Sequence, residues 1–146
     1  MLFLPLFLLI RMALNALDGM IATATETQSA IGSVINEVCD IISDLALFGA
    51  FTTLLPVSAE IWWLLIILSL ISEFTALAVH QATGVRPYCG PFSKSDKALY
   101  LGLLAIILFI YPSNATVFYI YSIAGITLAI TTIHNRMTIT EMKAPL

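Results

Sequence analysis

Charge is scarce in this sequence. Only 10% of its 146 residues are Asp, Glu, Lys or Arg, 60% are hydrophobic, and the mean hydropathy is +0.98. A soluble domain of this length could not cover so much apolar surface with polar groups, so the composition indicates an integral membrane protein. Two cysteines, Cys39 and Cys89, fit neither a disulfide framework nor a zinc site, and both read as ordinary small residues. No stretch sustains the alternation of a strand, and lipid favours helices in any case. There is no internal repeat and no low-complexity linker, so residues 1–146 read as one transmembrane domain. The opening MLFLPLFLLI lacks the basic n-region and small-x-small cleavage site of a signal peptide and reads as part of a spanning helix.

Five apolar segments are present, at 2–23, 31–55, 61–80, 98–111 and 115–133. They predict an all-α polytopic bundle of about five transmembrane helices, with Trp62 and Trp63 as an interfacial anchor. With five spans, the loops at 24–30 and 81–97 and the tail after 133 share one side. Arg86, Lys94, Lys97, Arg136 and Lys143 all fall on that side, and the opposite loops at 56–60 and 112–114 hold no basic residue. The positive-inside rule makes that side cytoplasmic, which predicts a multi-pass membrane protein with its basic loops inside the cell. The N-terminus would then start outside, directly in an apolar run, so a further helix in front is expected.

Against that background, residues 15–44 carry Asp18, Glu26, Glu37, Asp40 and Asp44. Each ionised side chain at mid-bilayer costs about 2.5–3.5 kcal/mol on insertion scales, so the set needs pairing, metal or water. Arg11, Asn15, Asp18 and Ala22 step by four, three and four along one helical face. Gly32, Asn36, Asp40 and Asp44 step by four throughout. In an antiparallel hairpin, the rise per residue puts Asp18 level with Asn36, Asn15 level with Asp40, and Arg11 level with Asp44. The first two levels make an oxygen-lined cage, a site for a hard cation such as Mg²⁺ or Mn²⁺ with Asn15, Asp18, Asn36 and Asp40 as ligands. The third reads as a buried structural ion pair. A polar seam that holds helices together is the other reading of the whole set. Gly19, Ala22 and Gly32 beside the cage would let backbone or a flat ligand approach closely, or simply pack helices.

The pattern Asn15-x2-Asp18-Gly19-x2-Ala22-Thr23-x8-Gly32-x3-Asn36-x3-Asp40 resembles the CDP-alcohol phosphatidyltransferase signature, D-x2-D-G-x2-A-R-x8-G-x3-D-x3-D. Every spacing matches, with five of the eight side-chain identities. SEFTAL and GPFSKSDKALYLG also look like segments of a YnbA-like bacterial branch of that family. The family normally has six spanning helices and often forms homodimers, so the resemblance implies a missing first helix and a possible homodimer. It implies metal-dependent transfer of a phosphatidyl group from CDP-diacylglycerol to an alcohol acceptor, with release of CMP, in phospholipid synthesis. By position, Asp18 would be a metal ligand, and Asp40 both the general base on the acceptor hydroxyl and a ligand. Gly19, Ala22, Thr23 and Gly32 would lie along the cytidine nucleotide. Asn15 and Asn36 stand where the family has acids, and Thr23 where it has Arg. A neutral amide binds Mg²⁺ more weakly than a carboxylate, and Thr23 supplies no cation to phosphate. Glu37 adjoins Asn36 but projects about 100° away on an ideal helix.

Other polar residues extend this picture. Glu73 falls level with the cage, to line the pocket or to pair with a cytoplasmic Lys. Arg86, Lys94 and Lys97 border its mouth, with Lys94 and Lys97 at a helix N-terminus that suits phosphate, or contact with anionic membrane lipid. Phe118, Tyr119 and Tyr121 read as packing or lipid-facing residues. No nucleic-acid partner is expected. Two other functions fit parts of the pattern. One is a non-catalytic member that binds CDP-lipid or a membrane partner. The other is a UbiA-like prenyltransferase, from Asn36-Glu37-x2-Asp40-x3-Asp44, but no second acid-rich motif follows Asp44.

Overall fold

The computed structural model describes residues 3–25 and 29–143, without the side chains of residues 15, 16, 18, 19, 22, 23, 30 and 139–143. Among the described residues five helices succeed one another: α1 (Leu4–Ala24), α2 (Ala30–Phe51), α3 (Ala59–Thr83), α4 (Lys94–Ile110) and α5 (Ala115–Lys143). No strand occurs among the described residues. The chain is an all-α membrane helix bundle.

Local chemistry sets the helix ends. Ser29 caps α2 by accepting the Gly32 N–H at 3.0 Å. That helix stops at Phe51 rather than at the expected 55. The N–H groups of Leu54 and Leu55 both turn back to Phe51 O at 3.1 Å, and Pro56 steers Leu55 away from helical geometry. Gly84, at φ +72°, ends α3 and donates its N–H to His80 O at 2.8 Å. The fourth helix starts earlier than expected because Ser93 and Asp96 form a capping box, with Ser93 N–H 2.9 Å from Asp96 Oδ2. In the fifth, the helix runs past the expected end at 133 to Lys143, because Arg136 is tied into the bundle.

Helix α3 packs along α5, α1 lies against α4, and α2 touches α3. Between helices in lipid the hydrophobic drive is small, so close approach and polar contacts matter more. On α5, Phe118, Ser122, Gly125, Ala129, Thr132 and Arg136 form one buried stripe with alternating steps of four and three. Gly125 is needed there: a Cβ would meet the Tyr100 hydroxyl at 2.6 Å and Leu65 at 3.1 Å. Tyr100 donates to Tyr121 O at 2.9 Å, and Tyr121 donates to Tyr100 O at 2.8 Å, which cross-links α4 and α5.

An aromatic cluster of Phe48, Phe51, Trp62, Phe92 and Tyr100 joins α2, α3 and α4. Trp62 is wholly buried within it, and its indole N–H donates to Phe48 O at 2.8 Å. The expectation of a Trp62–Trp63 interfacial pair is thereby corrected for Trp62, because the α2 carbonyl next to it needs a donor; Trp63 is exposed. Every helix also presents bare apolar side chains, such as Leu6, Val34, Ile67, Phe109 and Ile120, as a lipid-facing surface requires. Among the described residues, two helical stretches, Ala59–Thr83 and Ala115–Thr138, are long and apolar enough to cross a membrane.

Candidate functional site

The acids of α2 are gathered on one inward stripe, with Glu37 and Asp40 buried and Asp44 partly so, and each meets a cation. Arg11 on α1 donates to Asp44 Oδ1 at 3.1 Å, so the expected pair forms. Its other terminal nitrogen lies 3.6 Å from Asp40 Oδ1. Lys97 Nζ lies 3.1 Å from Asp44 Oδ2 and 2.9 Å from Glu73 Oε1. The contact with Glu73 lies off the hydrogen-bond direction, so it is a charge contact. Lys94 Nζ donates to Asp40 Oδ2 at 2.8 Å and to Glu37 Oε2 at 3.3 Å. Arg86 donates to the same Glu37 oxygen at 2.7 Å. Arg136 Nη1 comes within 3.8 Å of Glu73 and closes the series.

These groups alternate in sign from Arg86 to Arg136, five cations around four acids. Burying four carboxylates in lipid is tolerable only with such partners. Lys94 lies ahead of the apolar run that begins at Ala98. Burial draws its pKa down, but the hydrogen bond and charge of Asp40, and then of Glu37, outweigh burial and hold it above the ordinary lysine value. The ammonium is therefore charged throughout the physiological range.

A cavity of about 560 Å³ opens over this series, with Asn36, Glu37 and Asp40 on one wall and Arg86, Tyr88 and Lys94 on the other. The second wall is the segment between α3 and α4, and α5 pins it from behind. Gly90, at φ +114°, lies so close to Thr132 that a Cβ would meet that side chain at 2.5 Å. Phe92 N–H donates to Thr132 Oγ1 at 2.9 Å, and Arg136 Nε donates to Cys89 O at 3.3 Å. Arg136 also donates to Ser72 O and, at 3.1 Å, to Ser72 Oγ.

The expected site residues divide as follows. Asn36, Asp40 and Lys94 line one cavity. Gly32 lies on the exposed part of α2, against Ser29. Lys97 is almost fully buried between Asp44 and Glu73, withdrawn from the mouth, where two carboxylates compete for it. The side chains of Asn15, Asp18, Gly19, Ala22 and Thr23 lie outside the described residues. Glu37 corrects an expectation: it is 7% exposed and faces the cavity, whereas Asn36 is exposed. Arg86 and Lys94 draw Glu37 inward, and the single-helix wheel could not include them. Arg136 was the residue least visible in the sequence, although its place at the end of the α5 stripe marks it.

Asn36, Glu37 and Asp40 offer oxygen donors of the kind a hard divalent cation takes. Glu37 Oε1 is buried with no hydrogen-bond partner among the described residues. No group of three or more carboxylate, histidine or cysteine side chains suited to a metal occurs among them. Such a cation would thus lean on two carboxylates and on ligand oxygens, which is how Mg²⁺ is often held.

No protein-family model matches the chain, and no solved structure matches it. It is 40% identical over 148 aligned positions to inner membrane protein YnbA of Escherichia coli (strain K12), an alignment covering 98% of this chain and 72% of that protein. The chain belongs to the YnbA family of inner membrane proteins. The relative's name states a location and no reaction. That location agrees with the composition and with the lipid-facing side chains on every helix.

Proposed function

We propose that the chain transfers a phosphatidyl group from CDP-diacylglycerol to an alcohol acceptor and releases CMP, at the cytoplasmic face of a bacterial inner membrane. The observation that carries this reading is one cavity that joins Asn36 and Asp40, from the second half of the signature, to Arg86 and Lys94. Its mouth lies where the basic residues concentrate, which supports the cytoplasmic orientation. Extending the Arg11–Asp44 register along both helices at the α-helical rise puts positions 15 and 18 at the levels of Asp40 and of Asn36–Glu37. In this reading the signature's two halves border one space.

In this mechanism the acceptor hydroxyl oxygen bonds to the phosphorus that carries diacylglycerol. The bond from that phosphorus to the oxygen bridging it to CMP breaks. Asp40 accepts the hydroxyl proton. Arg86 and Lys94 offer charge to the diphosphate and to the departing CMP. Asp40, Asn36 and, by resemblance, Asp18 and Asn15 would hold Mg²⁺ or Mn²⁺, which supplies charge neutralisation at the diphosphate.

The test is CMP release from CDP-diacylglycerol by protein in proteoliposomes, with Mg²⁺ or Mn²⁺ and a panel of alcohols. The expected result is metal-dependent release that Asp40→Asn abolishes. A wild-type protein that releases no CMP with any acceptor would remove the enzymatic reading. A second reading is favoured by the engagement of Asp40 with Lys94 at 2.8 Å and by the amide at Asn36. In it the chain binds the CDP-lipid without turnover. Saturable CDP-diacylglycerol binding without CMP release would select that reading.

A further inference from the structure

We propose that Glu37, one residue beyond the amide at Asn36, joins Asp40 as the second protein carboxylate of a single divalent-cation site at the cavity mouth. The inference builds on the metal-dependent transfer proposed above, and it moves a ligand off the resembled motif.

Three observations converge on it. First, an ammonium already bridges the two acids: Lys94 Nζ is 3.3 Å from Glu37 Oε2 and 2.8 Å from Asp40 Oδ2. Two carboxylates from successive turns of α2 therefore aim at one cationic point. Second, Glu37 Oε1 is buried, unpartnered among the described residues and on a residue that lines the cavity. A buried carboxylate oxygen without a donor is costly, and a cation or a water on that cation relieves the cost. Third, Asn36 is exposed at the cavity edge while Glu37 is buried. The carboxylate lost at position 36 reappears at position 37, turned inward by Arg86.

Charge explains why one ion suffices. The motif has two fewer acids than the resembled signature, at Asn15 and Asn36. The described series already holds five cations around four acids. A second divalent ion would meet strong repulsion, whereas one can take the place of the Lys94 ammonium. Lys94 is 38% exposed in its side chain and stands at the mouth. It can swing outward to a ligand phosphate while Arg86 stays on Glu37. Mg²⁺ commonly needs no more than one or two carboxylates, completed by water and phosphate oxygens.

Mn²⁺ alone is the probe, titrated into the full chain in detergent and followed by the loss of the free-ion paramagnetic resonance signal. The wild type should bind one Mn²⁺ per chain. Glu37→Gln should weaken binding by about tenfold or more, a loss that even outer-sphere partners of a metal produce. Asn36→Ala should weaken binding clearly less than Glu37→Gln, since a neutral amide is the poorer donor, and Lys94→Gln should bind several-fold tighter because the competing ammonium is gone. If Glu37→Gln does not fold, Glu37→Asp puts the same question. Its shorter arm should weaken binding several-fold.

An absence of Mn²⁺ binding to the wild type overturns the proposal. So does a folded Glu37→Gln, or a Glu37→Asp, with wild-type affinity, and so does a loss in Asn36→Ala as large as that in Glu37→Gln. Glu37-dependent Mn²⁺ binding in a protein that releases no CMP would keep the site and discard the transfer reaction. CMP release with Glu37-independent binding would do the reverse.

Discussion

Arg11 on α1 and Asp44 on α2 meet at 3.1 Å, and the other Asp44 oxygen is held at the same distance by Lys97 from α4. The pair expected from helical spacing is thus one half of a three-helix contact. Asp44→Leu removes a partner from two cations at once. Arg11→Leu leaves Asp44 still paired with Lys97. Asp44→Leu should therefore cost more, about 3–5 kcal/mol against a smaller loss for Arg11→Leu. Thermal unfolding in detergent measures both. Equal losses would show that Lys97 contributes nothing to Asp44.

Lys97 has a second consequence. It is 2% exposed and serves both Asp44 and Glu73. Lys97→Met leaves two acids short of a cation and should be among the most damaging single changes in α4. Adding Glu73→Gln should recover part of the loss, with a coupling of about 0.5–3 kcal/mol in a double-mutant cycle. Strict additivity would mean that the 2.9 Å approach carries no energy.

Trp62 gives a spectroscopic prediction. Its indole N–H satisfies Phe48 O at 2.8 Å in the aromatic cluster. Trp62→Phe keeps most of the apolar volume but strips that carbonyl of its donor, at about 1–3 kcal/mol. Fluorescence of the Trp63→Phe variant, which retains Trp62 alone, should be blue-shifted and resist aqueous quenchers. A red, quenchable signal from Trp62 would contradict the packing of α2 on α3.

Gly90 tests the cavity wall. Any Cβ there meets Thr132 at 2.5 Å, on a backbone at φ +114° that side chains rarely adopt. Gly90→Ala should loosen the segment around Phe92 and speed amide exchange at Phe92, whose N–H bonds to Thr132 Oγ1. Thr132→Ala should lose that bond together with the hydroxyl's own bond to Leu128 O, at about 1 kcal/mol for each. If Gly90→Ala leaves exchange at Phe92 unchanged, the segment is not anchored as described.

Much of this architecture can be read from particular residues. The runs of apolar sequence place five helices, and the step of four from Asp40 to Asp44 puts both acids on the stripe that Arg11 meets. Helical spacing reports which residues share a face; it does not report what lies opposite. Glu37 turns inward for Arg86 and Lys94, which follow it by 49 and 57 positions. Trp62 looks like an interfacial residue until the Phe48 carbonyl is placed beside its ring nitrogen. Arg136 follows the apolar part of α5 and resembles a tail residue, yet the step from Thr132 carries it under Ser72 and Cys89. In each case the missing information was a partner distant in sequence.

The anchoring at Gly90 and Phe92 has an evolutionary corollary. Because α5 clamps the connector downstream of Cys89 and Arg86 is tied to Glu37 at 2.7 Å, the short tip at Pro87 and Tyr88 is the stretch of that wall most open to change. Tyr88 is 82% exposed, with the Arg86 guanidinium 5.9 Å from its ring centre. Relatives could vary that wall by rewriting those two residues while the lipid-embedded scaffold stays as it is.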